Sequence, residues 1–183
     1  KQTYTNFELI IVNDGSIDDT STLCYQYVHV DSRIKLISQK NHGVSKARNR
    51  GINNAKGRYI LFIDADDYIE TEYIQNLYKL ISRNNVDFCC ISYKTEISET
   101  EDVCLLENDI KLSGEDAIVE MMKPSCEIPR TPWGKMFKLE QVKKINFKSE
   151  YSLAEDTLYN LEVFLLPTIK GVYNNYKGYV YTL

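Results

Sequence analysis

Apolar residues recur along the first half of the chain in two alternating rhythms. Short β-rich runs at residues 7–12 (FELIIV), 33–38, 59–63 and 86–93 read as strands, since a strand covered on both faces is apolar without interruption. Between them the spacing turns helical: from Ser16 or Asp18 as N-cap to about residue 28, then 44–56, then about 70–84. Ile74, Leu77, Tyr78 and Ile81 share one face of the third helix, and Gly57 stops the second. Polar turns end the strands at Asn13-Asp14-Gly15-Ser16, Asn41-His42-Gly43 and Asp64-Ala65-Asp66-Asp67. This alternation predicts an α/β fold with a mixed, mainly parallel sheet and helices on both faces.

After residue 94 the rhythm changes. Residues 95–109 are acidic and suggest a hairpin, and Ser113-Gly114-Glu115-Asp116 opens a short helix to Met122. Pro124, Pro129 and Pro132 then break the chain into a loop. Helices are expected near 139–145 and 153–166, with closing strands at Val172 and 179–183. Without repeats, low-complexity tracts or linkers, 1–183 reads as one domain.

Bulk properties narrow the classes. A net charge of −4 argues against a general nucleic-acid partner. The apolar run 59–63 is far too short to cross a bilayer, and no signal segment opens the chain. Lys1 lies in a polar stretch, so the chain is expected to be cut from a longer one. Cys24, Cys89, Cys90, Cys104 and Cys126 form no CxxC pair and histidines number two, which argues against a zinc cluster. Reduced thiols of a cytosolic protein are expected, with Cys89 and Cys90 on opposite faces of one strand.

The sharpest chemical feature is an apolar strand delivering Asp64, Asp66 and Asp67 at its carboxyl end, where open α/β sheets bind ligands. Such acids repel unless a cation sits among them, and Mg²⁺ or Mn²⁺ takes oxygen ligands while keeping positions for phosphate. The bland alternative is a solvated turn capping the next helix. Asp14, at another strand end, is either a turn former beside Gly15 or an acceptor for a ribose hydroxyl or base N–H. On helix 44–56, Val44, Ala47, Gly51, Ile52 and Ala55 fall on one arc that also contains Arg48, whereas Lys46 and Arg50 point away. A guanidinium on a packing face needs a partner, either the strand-end aspartates or a bound phosphate. Lys40 precedes that helix and is either a phosphate contact or an exposed charge.

Glu155-Asp156 opens a later helix and is either a dipole complement or a functional pair. Segment 130–148 carries Arg130, Lys135, Lys138, Lys143, Lys144 and Lys148 against one acid, Glu140, and could balance diphosphate, meet anionic lipid or simply face water. Trp133, beside Gly134 and Lys135, is either a stacking platform or core.

Together these residues resemble the inverting family 2 glycosyltransferases of the GT-A fold, the group that builds bacterial polysaccharides. The resemblance rests on Val12-Asn13-Asp14-Gly15-Ser16 with Asp18 and Thr20, Lys40-Asn41-His42-Gly43 followed by Ala47-Arg48-Asn49-Arg50-Gly51, Gly57-Arg58-Tyr59 leading to Asp64-Ala65-Asp66-Asp67, Trp133-Gly134-Lys135 and Glu155-Asp156. It implies a nucleotide-binding half at about 1–94 and an acceptor and catalytic half at about 95–183. It further implies that Asp14, Lys40, Gly43, Arg48, Asp64, Asp66, Trp133 and Lys135 line the nucleotide-sugar site. Asp14 would hold the nucleotide, commonly a uridine, and Asp64 the ribose or metal. Asp66 would be the principal ligand of Mn²⁺ or Mg²⁺. Asp156, with Glu155 as the alternative, would be the general base, and Trp133 and Lys135 would border the acceptor or diphosphate region.

Implied partners are a nucleotide-sugar donor and a carbohydrate or lipid-linked acceptor, in the cytoplasm or at the inner face of the membrane. Members usually begin with a further strand–helix unit that supplies a central strand, absent here, so exposed edges and self-association are expected. Three other readings compete: a phosphatase or phosphomutase of the haloacid dehalogenase type, a sugar nucleotidyltransferase, and a catalytically silent nucleotide-sugar-binding or interaction fragment on the same scaffold. The first wants a nucleophile near its first strand, and the second a Gly-rich phosphate loop with a basic residue.

Overall fold

A computed structural model describes residues 1–96, 108–124, 126–151 and 153–182, and three sheets organise them. The first is small: β1 (Leu9–Asn13) and β2 (Ile34–Ser38) pair in parallel around the crossover helix α1 (Thr20–Val30), with Leu9 opposite Ile34. Then follow α2 (Val44–Asn54), β3 (Tyr59–Leu61), β4 (Tyr68–Ile69), α3 (Tyr73–Asn84), β5 (Phe88–Ile91) and β6 (Lys94–Thr95). The chain continues with β7 (Ile110–Ser113), α4 (Gly114–Met122), β8 (Lys135–Lys138), α5 (Leu139–Val142), α6 (Glu155–Phe164), β9 (Lys170–Asn174) and β10 (Tyr179–Tyr181). Five strands form the central sheet in the order β3-β8-β5-β9-β7, and three form a side sheet, β4-β10-β6.

The α/β alternation of the first half is present, and the sheets are mixed as expected. Their antiparallel share is larger than that alternation implies: β1–β2, β5–β9 and β6–β10 run parallel, while β3–β8, β5–β8, β7–β9 and β4–β10 run antiparallel. Two of these antiparallel pairs come from β8, which the sequence pattern leaves within the basic run 130–148. Its Met136 and Phe137 are flanked by two lysines, which hides the apolar pair from a pattern search. Pairing with β3 on one side and β5 on the other makes it a central strand.

Other boundaries moved for local reasons. The N-cap of α1 is Asp19, without a side-chain cap bond, while Asp18 Oδ1 accepts from Thr20 N at 3.1 Å. The helix expected from about residue 70 starts at Tyr73, and residues 68–69 just before it form the short strand β4. Ser113 caps α4 as its sequence suggests, in a reciprocal capping box with Asp116. The expected hairpin over 95–109 falls largely outside the described residues, as does Cys104.

Two layers of side chains fill the two faces of the central sheet. On one, α3 packs Tyr73, Leu77, Leu80 and Ile81 against Cys89, Ile91, Met136 and Val172. On the other, Ile52 of α2 joins Ala117, Val142, Tyr159 and Val163 against Phe88, Cys90 and Phe137. Cys89 and Cys90 thus lie on opposite faces, and the four described cysteines are free thiols. By contrast α1 buries no residue, and Leu23, Tyr25, Tyr27 and Val30 are half exposed or more.

Candidate active site

Three acidic elements are tied to α2. The first is the turn after β1. Asn13 is buried, accepting from Ser16 N and donating to Ser21 Oγ, and so closes the turn. Gly15 has φ +82° and lies so close to residue 41 that a Cβ would sit 2.7 Å from Asn41 N, which only glycine tolerates. Asp14 follows β1 and receives three bonds: Gln39 Nε2 donates to Oδ1 at 2.7 Å, His42 N to Oδ1 at 2.9 Å, and Gly43 N to Oδ2 at 2.8 Å. Burial pushes its carboxyl up, but these donors outweigh burial and hold it below the ordinary range. Gly43, with φ +88°, is the N-cap of α2, so Asp14 fixes where that helix starts.

About one turn into α2, roughly 6 Å along its axis, stands Arg48. Its Nη2 donates to Asp64 Oδ1 at 3.1 Å, its Nη1 to Glu155 Oε1 at 3.4 Å, and its guanidinium carbon lies 5.3 Å from the centre of the Phe147 ring. The guanidinium therefore ties the end of β3 to the first turn of α6. Burial is the main force raising the Asp64 pKa; Arg48 opposes it, while Asp66 and Asp67 add to it. The partner that the helical wheel demanded for Arg48 is an aspartate, as one of its two alternatives had it.

The wheel itself needs correcting. Val44, placed on the packing arc, is 49% exposed, while Ser45 and Ile52 are buried. Ser45 Oγ donates to Lys148 O, and Asn49 exchanges bonds of 2.8 Å with the backbone of Phe147 in both directions. An apolar count misses this face because its contacts are polar. The only sequence signal was the pair of small polar residues four apart.

In the acidic turn Asp66 is exposed and has no hydrogen bond or ion pair among the described residues. Asp67 is committed: Tyr179 Oη donates to its Oδ2 at 2.6 Å and Thr182 N to its Oδ1 at 2.9 Å. Tyr179 was legible only as part of a closing strand. At the start of α6, Asp156 is half-buried, and its Oδ1 accepts from Thr157 N at 2.7 Å. Lys40 is exposed and stands just before the Asp14-bound loop.

Trp133 and Lys135 lie elsewhere than expected for open contacts. Trp133 is 4% exposed and stacks on Tyr179, with ring centres 4.4 Å apart and planes 4° from parallel. Lys135 is fully buried, its Nζ donating to Pro129 O and to Thr131 O, and Asn160 Nδ2 donates to Arg130 O and Thr131 O beside it. Burial lowers the Lys135 pKa to about 8, against the pull of Cys90, Asp156 and Cys126. Its charge holds a backbone loop together and does not face an open cleft. The basic run 130–148 is likewise dispersed: Arg130 donates to Met121 O, Lys138 pairs with Asp87, and Lys148 pairs with Glu162. Lys143 and Lys144 are exposed, so no single basic face forms from the run.

Comparisons with known proteins bear on the family and the fold. Residues 1–142 match the family model described as Glycosyl transferase family 2. Among curated proteins, the chain is 34% identical over 191 residues to the glycosyltransferase GlyA of Streptococcus pneumoniae, covering 100% of this chain and 27% of that protein. It is 28% identical to the cholesterol galactosyltransferase of Borreliella burgdorferi, covering 96% of this chain and 52% of that one. The chain thus spans about a quarter to a half of these relatives. Among solved structures, Staphylococcus aureus TarS 1–349 in complex with UDP superposes with a TM-score of 0.80 at 22% identity, over 100% of this chain and 53% of that one. A mannosyltransferase of Pyrobaculum calidifontis, in complex with GDP-Man and Mn²⁺, gives 0.69 at 16% identity, over 98% and 49%. The shared fold is GT-A.

Proposed function

The chain belongs to glycosyl transferase family 2, and from that premise we propose that it binds a nucleoside-diphosphate sugar at the acidic strand ends and transfers the sugar, with inversion, to an acceptor hydroxyl. The observation that carries this reading is the Arg48 guanidinium, which gathers Asp64 from the β3 end and Glu155 from the α6 start into one cluster. Asp14 belongs to the same constellation through the N-terminus of α2. Uridine is the proposed base, supported by the UDP held by the TarS structure. A polysaccharide or glycolipid is the proposed acceptor, and the cytoplasm the proposed setting, in keeping with free thiols at the four described cysteines. No helix among the described residues is long and apolar enough to cross a membrane.

The donor set fits a hard divalent cation of a particular kind. Among the described residues no group of three or more His, Cys, Asp and Glu gathers to cage an ion. Mg²⁺ and Mn²⁺ are commonly held by one or two carboxylates plus substrate phosphates. Asp66, and the Asp64 oxygen that does not face Arg48, make such a pair. When bound, the ion supplies Lewis acidity that offsets charge on the departing diphosphate. Arg48 keeps the two acids beside it from repelling each other and leaves Asp66 as the open anionic position. Lys40, exposed at the mouth of the Asp14-bound loop, adds a cation for the donor phosphates.

Asp156 is the proposed general base. It sits in the first turn of α6, its Oδ1 accepts from Thr157 N, and among the described residues its other oxygen accepts no hydrogen bond. Glu155, its neighbour, is engaged by Arg48 and acts as an anchor. Asp156 takes the proton as the acceptor oxygen attacks the anomeric carbon and the diphosphate leaves from the opposite face. One displacement inverts the configuration.

A binding-only reading has one observation in its favour: α1 buries no residue, so the layer beside Asp14 is lightly anchored. Isothermal calorimetry with UDP and Mn²⁺, paired with an assay of UDP release, distinguishes the readings. Asp66→Asn is expected to abolish the Mn²⁺-dependent part of UDP binding, and unchanged affinity rejects the site. Asp156→Asn is expected to keep binding and lose transfer, while retained turnover places the base elsewhere.

A further inference from the structure

Besides Arg48, which engages the Asp64 carboxylate, a side chain of the side sheet holds the acidic turn at both ends. Tyr179 lies in β10, the middle strand of the side sheet, and is fully buried. Its hydroxyl accepts from Asp64 N at 3.2 Å and donates to Asp67 Oδ2 at 2.6 Å, so a single oxygen bridges both ends of the turn. The turn has its own closing bond, Asp67 N to Asp64 O at 3.2 Å. Thr182 N holds the other Asp67 oxygen. The ladder between β4 and β10 pairs Tyr179 with Ile69 immediately after the turn. Asp66 is therefore the residue left open between two anchored neighbours. The ring of Tyr179 also stacks on Trp133, whose next neighbours lead into β8.

We propose that Tyr179 is a positioning residue: it sets the backbone of the Asp64–Asp67 turn so that Asp66 presents its carboxylate to the cation, and it couples that turn to Trp133. This rests on the proposed donor site and deepens it. The same contact, together with Thr182 N on the other oxygen, engages Asp67 at both oxygens and leaves Asp66 as the freer carboxylate of the turn. Burial, and then the Asp67 carboxylate, push the Tyr179 pKa up, so the hydroxyl stays a donor across the working pH range.

Tyr179→Phe keeps the stacked ring and removes only the bridging oxygen. The measurement is Mn²⁺ binding to the protein in the presence of UDP, followed through the electron paramagnetic resonance signal of free Mn²⁺, with UDP affinity measured separately without metal. The variant is expected to bind Mn²⁺ about tenfold more weakly, the usual effect of losing a group that orients a metal ligand, with metal-free UDP affinity unchanged. Tyr181→Phe, in the same strand, is expected to match the parent protein. Asp67→Asn provides a second route to the same contact, and the double variant Tyr179→Phe/Asp67→Asn is expected to lose no more than the worse single. Parent-like Mn²⁺ binding by Tyr179→Phe overturns the inference and leaves the donor site standing. Equal weakening of UDP binding with and without Mn²⁺ overturns it as well, since that is a general structural loss. Failure of the unsubstituted protein to bind Mn²⁺ with UDP overturns the cation site itself, and this inference with it.

Discussion

Replacing Arg48 by Met removes the charge that gathers the site while keeping most of the apolar stem. The guanidinium side chain is 14% exposed, Glu155 14% and Asp64 33%. Breaking a fully buried ion pair costs roughly 3–5 kcal/mol, because the abandoned charge stays desolvated. The third of Asp64 that meets solvent screens part of that cost, which leaves about 2–3 kcal/mol. For a chain of this size that corresponds to a melting temperature lower by about 5–10 °C. The pH dependence follows from Asp64, whose folded pKa is raised, chiefly by burial. A raised carboxyl pKa means that the folded state binds the proton more readily than the unfolded one. Stability therefore falls as pH rises through the interval between the unfolded and folded values, and is regained on lowering it. Without Arg48 the shift grows, so the penalty is larger at neutral than at mildly acidic pH. Urea unfolding followed by circular dichroism under both conditions measures it. A cost below about 0.5 kcal/mol, the range of ordinary surface changes, refutes the reasoning, as does a penalty that grows on acidification. In Arg48→Met/Asp64→Asn the loss is expected to be smaller than the sum of the singles.

Two further substitutions probe the scaffold and the buried lysine. A Cβ at Gly114 would sit 1.9 Å from the backbone oxygen of Phe164 and 2.8 Å from Ile169 Cγ2. Gly114→Ala is thus expected to cost about 3 kcal/mol, the upper part of the overpacking range, and a thermal melt within a degree or two of the parent refutes it. Lys135 has a folded pKa of about 8, lowered by burial from 10.5. The folded state binds fewer protons there than the unfolded one, so this group makes stability rise with pH above about 8. The parent is expected to gain stability relative to Lys135→Met between about pH 8 and pH 10. A constant difference across that range would show that the ammonium titrates normally.

Much of the fold was legible because its signals are local. The runs at β1, β2, β3 and β5 are apolar enough to announce strands, although only β5 is buried throughout, and the polar turns after β1 and β3 mark strand ends regardless of what packs above them. The Ser113–Asp116 box named the start of α4 for the same reason. The placement of Asp14, Asp64, Asp66 and the Glu155-Asp156 pair at element ends was likewise written in the spacing, as was the need of Arg48 for an acidic partner. What local spacing does not hold is which distant segments meet. Lys-Met-Phe-Lys is a surface pattern until β3 and β5 pair with it on both sides, and then it becomes β8 at the centre of the sheet. Trp133 could be platform or core, and Lys135 could border the donor site, until burial places Lys135 on the carbonyls of Pro129 and Thr131 and Trp133 against Tyr179. The polar face of α2 declared itself only when Phe147 and Lys148 arrived from about a hundred residues away. Sequence fixes conformational preference over a few residues, through backbone sterics and hydrophobic period. Tertiary packing decides which charges lose water and which partners they find, and those energies exceed the local ones wherever a polar group is buried.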